Sequence, residues 1–311
     1  MPSPNGQRPR RTVCVVIPTH WETKIGGAQY QGKALIEHLV GRRDIDIHFV
    51  GRRIRASHQP EGYRSHEVGK QRPVAGTFLA DAPSFWMALQ RIRPDVIYQR
   101  VACTYTGVAA LYARRAHARL VWHVAHDSDV QPSLRPAVPG VSSLLSRFDE
   151  RIIDYGIRHA DAIVVQTQHQ ADLLLRHYGR NDSTLIPNFH PIPDNLPDKP
   201  SDPITITWVA NIKPFKRPEV FVRLAEDFRN RPNVRLIMIG APPLSNPEWP
   251  TLLAKIQALP NLLYLGGLSQ EQVNHWLARS HVFVNTSESE GFANTFIQAW
   301  MRGTPVVSLD V

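Results

Sequence analysis

Short apolar runs alternate along the chain with longer stretches in which apolar residues recur every three or four positions. Runs of β-branched residues bounded by turn residues are typical of strands in a buried parallel sheet, and the longer spacing is typical of helices that cover such a sheet. In the first part of the chain this pattern predicts strands over residues 13–18, 45–50, 95–99, 120–125, 162–166 and 184–186. It predicts helices near residues 28–40, 83–92, 104–117, 143–159 and 169–178.

A proline-rich segment separates these elements from a second series. Six prolines fall between Pro187 and Pro203, and proline continues neither a helix nor a central strand because it lacks an N–H and has a fixed φ. We therefore predict two doubly wound α/β domains, residues 1–187 and 204–311, joined by a hinge over 188–203. In the second domain the predicted strands are 204–210, 234–240, 262–265, 281–286 and 306–309, and the predicted helices are 218–229, 250–258, 270–279 and 294–302.

Composition and charge narrow the class of protein. The 311 residues are 42% hydrophobic, which is enough for packed cores, and no apolar run approaches the roughly 20 residues of a membrane span. The net charge of +9 lies wholly in residues 1–187, which contain 25 Lys/Arg and 16 Asp/Glu. Such a basic half attracts anionic membranes, although a solvated charged face explains it equally well. No nucleic-acid-binding module is recognisable, so nucleic acid is not a predicted partner.

The N-terminal residues and the number of cysteines indicate where in the cell the protein is expected. Residues 1–11 are polar and basic and lack the apolar region of a signal peptide, and two cysteines do not make a disulfide framework. We therefore expect a cytoplasmic protein, with peripheral binding to the inner face of the membrane as an open alternative.

The most informative motif lies near the end of the chain, where a β-branched run, residues 281–285, leads through a polar turn into a helix that begins near Asn294. The first N–H groups of a helix are unpaired and lie at the positive end of its dipole, so they bind anions such as phosphate. Glu290 stands beside this terminus, and because a carboxylate repels phosphate, a hydroxyl-rich sugar suits it better. Gln298 lies about 6 Å further along the same helix face. Phosphate, hexose and ribose together indicate a nucleotide sugar.

These residues resemble the signature of family 4 of the retaining, GT-B-type glycosyltransferases, an acidic residue followed by Gly-Phe, a second acidic residue and a Gly-x-Pro-Val-Val strand. Glu290 occupies the first acidic position, the amide Gln298 the second, and the closing motif begins at Gly303. The resemblance implies two Rossmann-like domains, the first for the acceptor and the second for the nucleotide sugar, and a reaction that needs neither a metal nor a cofactor. Since family members usually continue past this strand, we expect the second domain to be incomplete at its C-terminus.

The resemblance also assigns roles to individual residues. Glu290 would hold the sugar hydroxyls, and His126, which follows a strand, would orient the transferred sugar. Lys216 and the N–H groups of residues 294–296 would stabilise the leaving diphosphate, and Gln298 would bind the ribose. The catalytic candidates are thus His126, Lys216 and Glu290. The candidates for donor binding are Gly27, Asn211, Gly291, Phe292, Asn294, Thr295 and Gln298.

Several of these motifs have a plainer interpretation as well. The pair Gly26-Gly27 alone is a simple turn, but its place between the first strand and the first helix matches a Gly-Gly-Ala loop of the family. Lys216 could belong to a solvated basic loop, and Asn211 stands where the family has an arginine. His123 falls within the predicted strand, so a packed core position is its expected place.

Two further patterns offer alternatives outside the main motif. The triplet Asp127-Ser128-Asp129 could hold a divalent ion on a diphosphate, but it lies on the wrong strand of a two-domain chain, so we predict no metal site. The apolar stripe over residues 141–155 has helical spacing. It favours a helix packed on the core over a face that docks on a membrane.

The combined prediction is a retaining glycosyltransferase. It would transfer a hexose-type sugar from a nucleotide diphosphate sugar to a hydroxyl group of a glycan or lipid-linked acceptor. Two alternatives stay open. One is an enzyme of the same architecture with another reaction, such as an epimerase or a phosphorylase, and the other is a non-catalytic protein that binds nucleotide sugars or has a degenerate site.

Overall fold

The computed structural model describes residues 10–23, 26–69, 78–135, 143–243, 246–288, 290 and 292–309. The chain forms two compact units, Met1–Pro187 and Asn188–Val311. Each unit contains one parallel sheet with helices between most successive strands, the arrangement expected when buried apolar runs alternate with amphipathic helices. The predicted α/β class with two parallel-sheet domains is confirmed.

The first unit is built on a seven-stranded sheet in the order β3-β2-β1-β4-β5-β6-β7. Its strands are β1 (Arg11–Thr19), β2 (Ile45–Arg52), β3 (Arg64–Glu67), β4 (Val96–Arg100), β5 (Arg119–His123), β6 (Ala162–Val165) and β7 (Ser183–Leu185). Its helices are α1 (Gly27–Leu39), α2 (Ala82–Ile92), α3 (Thr104–Ala116), α4 (Asp127–Val130), α5 (Ser143–Arg158) and α6 (Gln168–Tyr178). The strand order reverses between β1 and β4, and ligands of such sheets bind beyond the carboxyl ends of the strands near this switch.

Both faces of this first sheet are covered by apolar side chains. Trp122, Phe85 and Tyr105 are fully buried on one side, while Ile17 and Phe49 are fully buried on the other. Burial on both faces explains why the central strands read as continuous apolar runs in the sequence and not as alternating ones.

Helices α3 and α5 approach each other closely because glycines stand at the crossing. A Cβ atom added at Gly107 would lie 2.2 Å from the carbonyl oxygen of Ile152, and one added at Gly156 would lie 2.4 Å from the backbone of Thr106. This crossing fixes the C-terminal half of α5 on the core, where Ile153 and Ile157 are buried. We predicted a core-facing helix here, and this half of α5 fits that prediction.

The N-terminal half of α5 differs from that prediction. Leu144 is 75% exposed and Phe148 is 57% exposed, so the apolar stripe continues past the core onto the surface. No helix within the described residues has both the length and the apolar character required to cross a membrane.

The second unit contains a five-stranded sheet in the order β10-β9-β8-β11-β12. Its strands are β8 (Ile204–Val209), β9 (Val234–Ile239), β10 (Leu262–Tyr264), β11 (Val282–Asn285) and β12 (Val306–Ser308). Its helices are α7 (Pro218–Asp227), α8 (Trp249–Gln257), α9 (Gln270–Arg279) and α10 (Asn294–Trp300). Here the order reverses between β8 and β11, so the loops that follow these two strands are the expected ligand-binding position.

The predicted elements are present, with bounds that differ by at most two residues, but one strand was missed. Strand β3, Arg64–Glu67, pairs in parallel with β2 at the edge of the first sheet. Its sequence Arg-Ser-His-Glu carries no apolar signal, because an edge strand that is not buried needs none. Part of its support comes from a contact between side chains, in which Nδ1 of His48 lies 2.8 Å from Nε2 of His66.

The proline-rich segment 188–203, predicted as a hinge, is held by the second unit. The Nζ atom of Lys199 donates to the carbonyl oxygens of Ser280 at 2.6 Å and Gly303 at 2.8 Å, and it lies 3.0 Å from Oγ1 of Thr304. Nε2 of His281 lies 2.8 Å from the carbonyl oxygen of Pro200. Most of this segment is therefore part of the second unit by its contacts, and its role as a hinge stays a prediction.

Candidate functional site

The loops that follow β8 and β11 are bonded to each other at the switch point of the second sheet. Nε1 of the buried Trp208 donates to Oγ1 of Thr286 at 2.9 Å. The Thr286 hydroxyl lies 2.7 Å from the carbonyl oxygen of Lys216, and the N–H of Glu288 donates to the carbonyl oxygen of Phe215 at 2.9 Å. These bonds join two loops that are 70 residues apart in the sequence, and two of them satisfy backbone groups of those loops.

Lys216 and Glu290 form an ion pair across these two loops. Their side chains are 18% and 15% exposed, so the pair is shielded from bulk water but reachable from it. The hydroxyl of Ser287 lies 2.7 Å from the same carboxylate oxygen and 2.8 Å from Oδ1 of Asn285. The ammonium group of Lys216 also lies 5.1 Å from the centre of the Phe215 ring. The sequence predicted both charged residues, and the structure brings them together.

The neighbours of Glu290 are held by the start of the second unit. Nδ2 of Asn188 donates to the carbonyl oxygen of Phe292 at 3.1 Å, and Nε2 of His190 lies 3.0 Å from Oδ1 of Asn294. Burial lowers the pKa of His190 to about 4, although the hydrogen bond with Asn294 opposes this change. The ring is therefore neutral at pH 7, and it fixes the residue at which α10 begins.

The start of α10 offers less to a phosphate than the sequence predicted. The helix has only seven residues, Asn294–Trp300, and not the nine of the predicted range, so its dipole is correspondingly weak. One of the three N–H groups expected to face the phosphate is already used, since that of Phe296 donates to the carbonyl oxygen of Ala293 at 3.0 Å. Lys216, which is paired with Glu290, is a cationic group beside this helix start. Gly291 lies outside the described residues, and Thr295 is half-buried in the first turn.

Gln298 and Asn211 occupy places that differ from their expected roles. Gln298 is 2% exposed, and its Nε2 donates to Oδ1 of Asn274 on α9 at 2.7 Å. The amide therefore joins two helices in this structure, and its contact with a ribose stays a prediction. Asn211, predicted to replace a family arginine, is exposed in the loop after β8.

In the first unit, His126 is exposed and the loop that carries it is fixed by Asp129. The buried Asp129 carboxylate accepts three backbone N–H groups, from Ala102 at 3.0 Å, Ala125 at 2.7 Å and His126 at 3.2 Å. It thereby joins the loop after β4 to the loop after β5 and sets the backbone of His126. Asp127 accepts a hydrogen bond from Nε2 of Gln170 at 3.0 Å.

The other two predicted positions of the first unit are Gly27, at the start of α1, and His123, at the end of β5. Gly27 is the first residue of α1, and Gly26 before it has an extended backbone. His123 is buried in β5, where its Nδ1 lies 2.7 Å from the hydroxyl oxygen of Tyr98. Burial and then the charge of Arg100 lower the pKa of His123 to about 2. This environment agrees with the core position expected for His123.

Some supporting residues were not predicted from the sequence. Asn188, His190 and Thr286 are buried polar residues whose partners lie elsewhere in the fold. A signal existed for Asp129, because an acidic residue three positions after the residue that precedes a helix often accepts the N–H of that residue. For the others the sequence contains no local sign of the contact.

Two family profiles match the chain in succession. Residues 25–191, more than half of the chain, match the profile described as Glycosyltransferase Family 4, and residues 203–311 match the one described as Glycosyl transferases group 1. The chain belongs to glycosyltransferase family 4, and the predicted resemblance is confirmed.

The chain is also similar to individual proteins of this kind. It is 32% identical over 174 residues to an uncharacterized glycosyltransferase of Methanocaldococcus jannaschii, which covers 50% of this chain and 41% of the relative. It is 25% identical over 174 residues to a D-inositol 3-phosphate glycosyltransferase of Streptomyces bingchenggensis, which covers 49% of this chain and 38% of the relative. The chain thus spans about two-fifths of the length of these curated relatives.

Among solved structures the chain is similar to HepE of Anabaena, described as a complex with UDP and glucose. The match has a TM-score of 0.69 at 18% identity and covers 96% of this chain and 80% of that one. At this identity the likeness establishes the fold, which is of the GT-B type, and leaves the substrate to be derived from the residues of this chain.

Proposed function

We propose that this protein is a retaining hexosyltransferase that uses a nucleotide diphosphate sugar as donor and a hydroxyl group of a glycan or lipid-linked molecule as acceptor. The observation that carries the proposal is the ion pair between Lys216 and Glu290, two half-buried opposite charges on the two loops at the switch point of the second sheet. A donor of this kind has one group for each charge, an anionic diphosphate for the lysine and a hydroxyl-bearing sugar for the glutamate.

Lys216 stabilises the leaving diphosphate in this mechanism. As the bond from the anomeric carbon to the diphosphate breaks, negative charge accumulates on the phosphate oxygens, and a fixed cation beside them lowers the barrier. Such a group is effective because the protein has already oriented it, here through the contacts of its backbone with Thr286.

Glu290 binds the hydroxyl groups of the transferred sugar. In the structure its carboxylate accepts from Lys216 and Ser287, so a bound donor would replace the lysine by sugar hydroxyls and draw the lysine toward the diphosphate. The exchange keeps the carboxylate hydrogen-bonded in both states, which limits the cost of separating the pair. Phe292, Asn294 and Thr295 would border the diphosphate, with Gly291 between Glu290 and Phe292.

In the first unit we assign roles in the transfer reaction to His126 and Gly27. His126 would orient the sugar near the reacting carbon, and Gly27 would allow close approach of a backbone to the donor or acceptor. Asp129 is then a positioning residue, because it acts on His126 only through backbone N–H groups.

The experiment that tests the proposal combines binding with product analysis. UDP-glucose, GDP-mannose, UDP and GDP are titrated by calorimetry, and the donor that binds is then incubated, with its sugar labelled, with glycan and lipid-linked acceptors. We expect one donor to bind and to yield a product with the anomeric configuration of the donor, read by NMR. Inversion of configuration would contradict the retaining mechanism, and failure of all four ligands to bind would contradict the nucleotide-sugar site.

A second candidate function is nucleotide-sugar binding without transfer. The position of Gln298 favours it, because its amide is bonded to Asn274 and not presented at a surface, and so does Asn211 in place of a cation. In the experiment above, donor binding with neither transfer nor hydrolysis identifies this case. Conversion of the donor into an isomer or a sugar phosphate identifies an epimerase or a phosphorylase.

For the acceptor side we propose a peripheral contact of the first unit with anionic membrane at the cytoplasmic face. Support comes from the positive charge of residues 1–187 and from Leu144 and Phe148, which are exposed on α5 beside Arg147. Sedimentation with vesicles of phosphatidylglycerol should recover more protein than sedimentation with neutral vesicles, and Phe148→Ser should lower the recovered fraction. Equal recovery with both lipids would contradict the contact.

A further inference from the structure

A cluster of two histidines and a glutamate lies at the carboxyl end of β1, in the first unit. His20 follows β1 directly, Glu22 lies two residues later, and His58 comes from the connection between β2 and β3. His20 is fully buried, with its ring 4.1 Å from that of Trp21 and 5.1 Å from that of Phe49. None of these residues belongs to the transferase site described above.

The potential ligand atoms of the cluster converge. Nδ1 of His58 lies 2.8 Å from Oε1 of Glu22, and Nδ1 of His20 lies 3.9 Å from Oε2 of the same carboxylate. Within the part of the chain that the structure describes, these three residues form a group in which one ligand atom of each lies within 4.8 Å of the others. Such separations are close to those between ligands that share one ion at bond lengths of about 2 Å.

The two ring nitrogens of His20 differ in their hydrogen bonding. Nδ1 of His20 accepts the N–H of Glu22 at 3.3 Å, which requires a lone pair on Nδ1. Nε2 of the same ring is buried and has no hydrogen-bond partner among the described residues. Hydrogen bonding within the described residues therefore accounts for one nitrogen of this ring and not for the other.

Tyr63 supplies a second observation that points to a ligand. Its hydroxyl oxygen lies 2.8 Å from Nε2 of His58, the ring nitrogen that faces away from Glu22. With Nδ1 bound to a metal ion, Nε2–H would donate to this oxygen and fix the orientation of the ring, which is the usual support of a histidine that binds a metal.

We propose that His20, Glu22 and His58 bind one divalent transition-metal ion of the Zn²⁺ type through Nδ1, a carboxylate oxygen and Nδ1, with Tyr63 as the hydrogen-bond partner that orients His58. Two imidazoles and one carboxylate form a ligand set preferred by zinc and its neighbours in the first transition row, whereas magnesium and calcium prefer oxygen alone. Three protein ligands leave a fourth position for water.

The environment of the cluster gives the ion a route of entry and a structural role. The side chain of Glu22 is 34% exposed while that of His58 is 6% exposed, so the ion would enter on the carboxylate side. The bound ion would join the loop after β1 to the connection between β2 and β3, which in sequence are 36 residues apart. It would therefore stabilise the first unit, because a ligand that binds only the folded state shifts the unfolding equilibrium.

The competing explanation is an ordinary hydrogen-bonded cluster in which His58 pairs with Glu22 and no metal binds. Glu22→Gln separates the two explanations, because the amide has the shape of the carboxylate and can still accept from His58 while it is a much poorer metal ligand. The side chain is partly exposed, so the variant should fold even where a change of the fully buried His20 would not.

The test uses the tag-free protein after treatment with a chelator, titrated with ZnCl₂ by calorimetry. We expect one equivalent to bind, with affinity lowered at least about tenfold in Glu22→Gln and about tenfold in Tyr63→Phe, since loss of a hydrogen-bond partner behind a ligand costs 10–100-fold. His177→Ala, which alters an exposed histidine of the same unit, should bind like the wild type.

Two results would overturn the proposal. One is the absence of saturable zinc binding by the wild type in the micromolar range. The other is a Glu22→Gln variant that binds zinc with the affinity of the wild type and shows the same zinc-induced rise of the melting temperature. That result would place the ion elsewhere. Neither result bears on the transferase function, which is read from donor binding and product.

Discussion

Two carboxylates, each near the end of a parallel strand, have opposite environments in this molecule. Glu290 in the second unit is partly exposed and contacts two side chains, Lys216 and Ser287. Asp129 in the first unit is buried and accepts three backbone N–H groups from two loops. The first carboxylate can exchange its partners for those of a ligand, whereas the second cannot do so without exposing unpaired N–H groups.

The different partners of these two carboxylates show how the same chemical group can either hold a loop in place or remain available to a ligand. Backbone donors cannot move away from Asp129, so that carboxylate determines where the loop lies. The partners of Glu290 are flexible or rotatable side chains, so in the proposed function the same charge can bind the hydroxyl groups of a sugar. Partners and exposure therefore separate the two roles better than residue type does.

The largest expected effect comes from removing the partner of Glu290. Lys216→Ala should lower the rate of sugar transfer by about 10²–10³, the usual loss when a preoriented group that stabilises developing charge is deleted. Lys213→Ala is the matched control, because this exposed lysine lies over the same Phe215 ring, at 5.6 Å. Rates are measured with labelled donor. An equal loss in both variants would mean that general positive charge, and not this lysine, is what the reaction needs.

The next largest effect is a loss of stability when the buried carboxylate of Asp129 is changed. Asp129→Asn should lower the free energy of unfolding by about 2 kcal/mol, because an amide cannot accept all three N–H groups and hydrogen bonds to charged groups contribute about 1.5–3 kcal/mol. Urea denaturation measures the change. Asp127→Asn, in which one bond to Gln170 is altered, should cost less than about 1 kcal/mol. Should the two variants be equally stable, the contrast between the carboxylates fails.

A pH experiment tests whether the uncharged ring of His190 stabilises the start of α10 beside Glu290. His190 has a folded pKa of about 4, below its ordinary value of about 6.5, so between these values the unfolded chain binds the proton and the folded chain does not. Stability from this ring is therefore complete above about pH 6.5 and is lost as the pH falls toward 4. Between pH 7 and pH 5 the wild type should lose about 1–2 kcal/mol more than His190→Gln in urea denaturation.

The control for this experiment is His177→Gln, in which an exposed histidine is changed. It should show the same acid sensitivity as the wild type. If His190→Gln is just as sensitive as the wild type, acid acts through other buried rings such as His20 or His123, whose pKa values are also lowered by burial.

The smallest expected effect concerns the hydroxyl beside Glu290. Ser287→Ala removes one hydrogen bond to its carboxylate, worth about 1 kcal/mol, and should lower transfer about fivefold with little change in the urea midpoint. Michaelis–Menten kinetics with varied donor measure it. A loss as large as that of Lys216→Ala would show that Ser287 acts on the substrate directly and not through Glu290.

The sequence predicted the elements well because their signals are local. The run Val13–Ile17 and the helical spacing of α7 are visible in any short window, and the parallel class follows from their alternation. Strand β3 was missed because a polar edge strand is stabilised by its neighbour and not by burial. The prediction that Lys216 and Glu290 belong to one site depended on the family motifs, since no short window contains both, and their ion pair was not predicted.

Side-chain environments were the part that could not be predicted. Gln298 has the spacing of a ribose ligand, but whether its amide faces a ligand or Asn274 depends on how α9 packs against α10. His20 and His58 are unremarkable in the sequence and meet only because β1 and β2 are neighbours in the sheet. Contacts of this kind are set by tertiary packing, which the sequence pattern does not encode locally.

The attachment of residues 188–203 has a practical consequence for anyone who wishes to produce the second unit alone. A fragment that begins at Ile204, where the first strand starts, would lack Lys199 and leave the carbonyl oxygens of Ser280 and Gly303 without its ammonium group. It would also lack Asn188 and His190, which hold the residues around the start of α10. A fragment that begins at Asn188 retains all of these anchors and is the one to express.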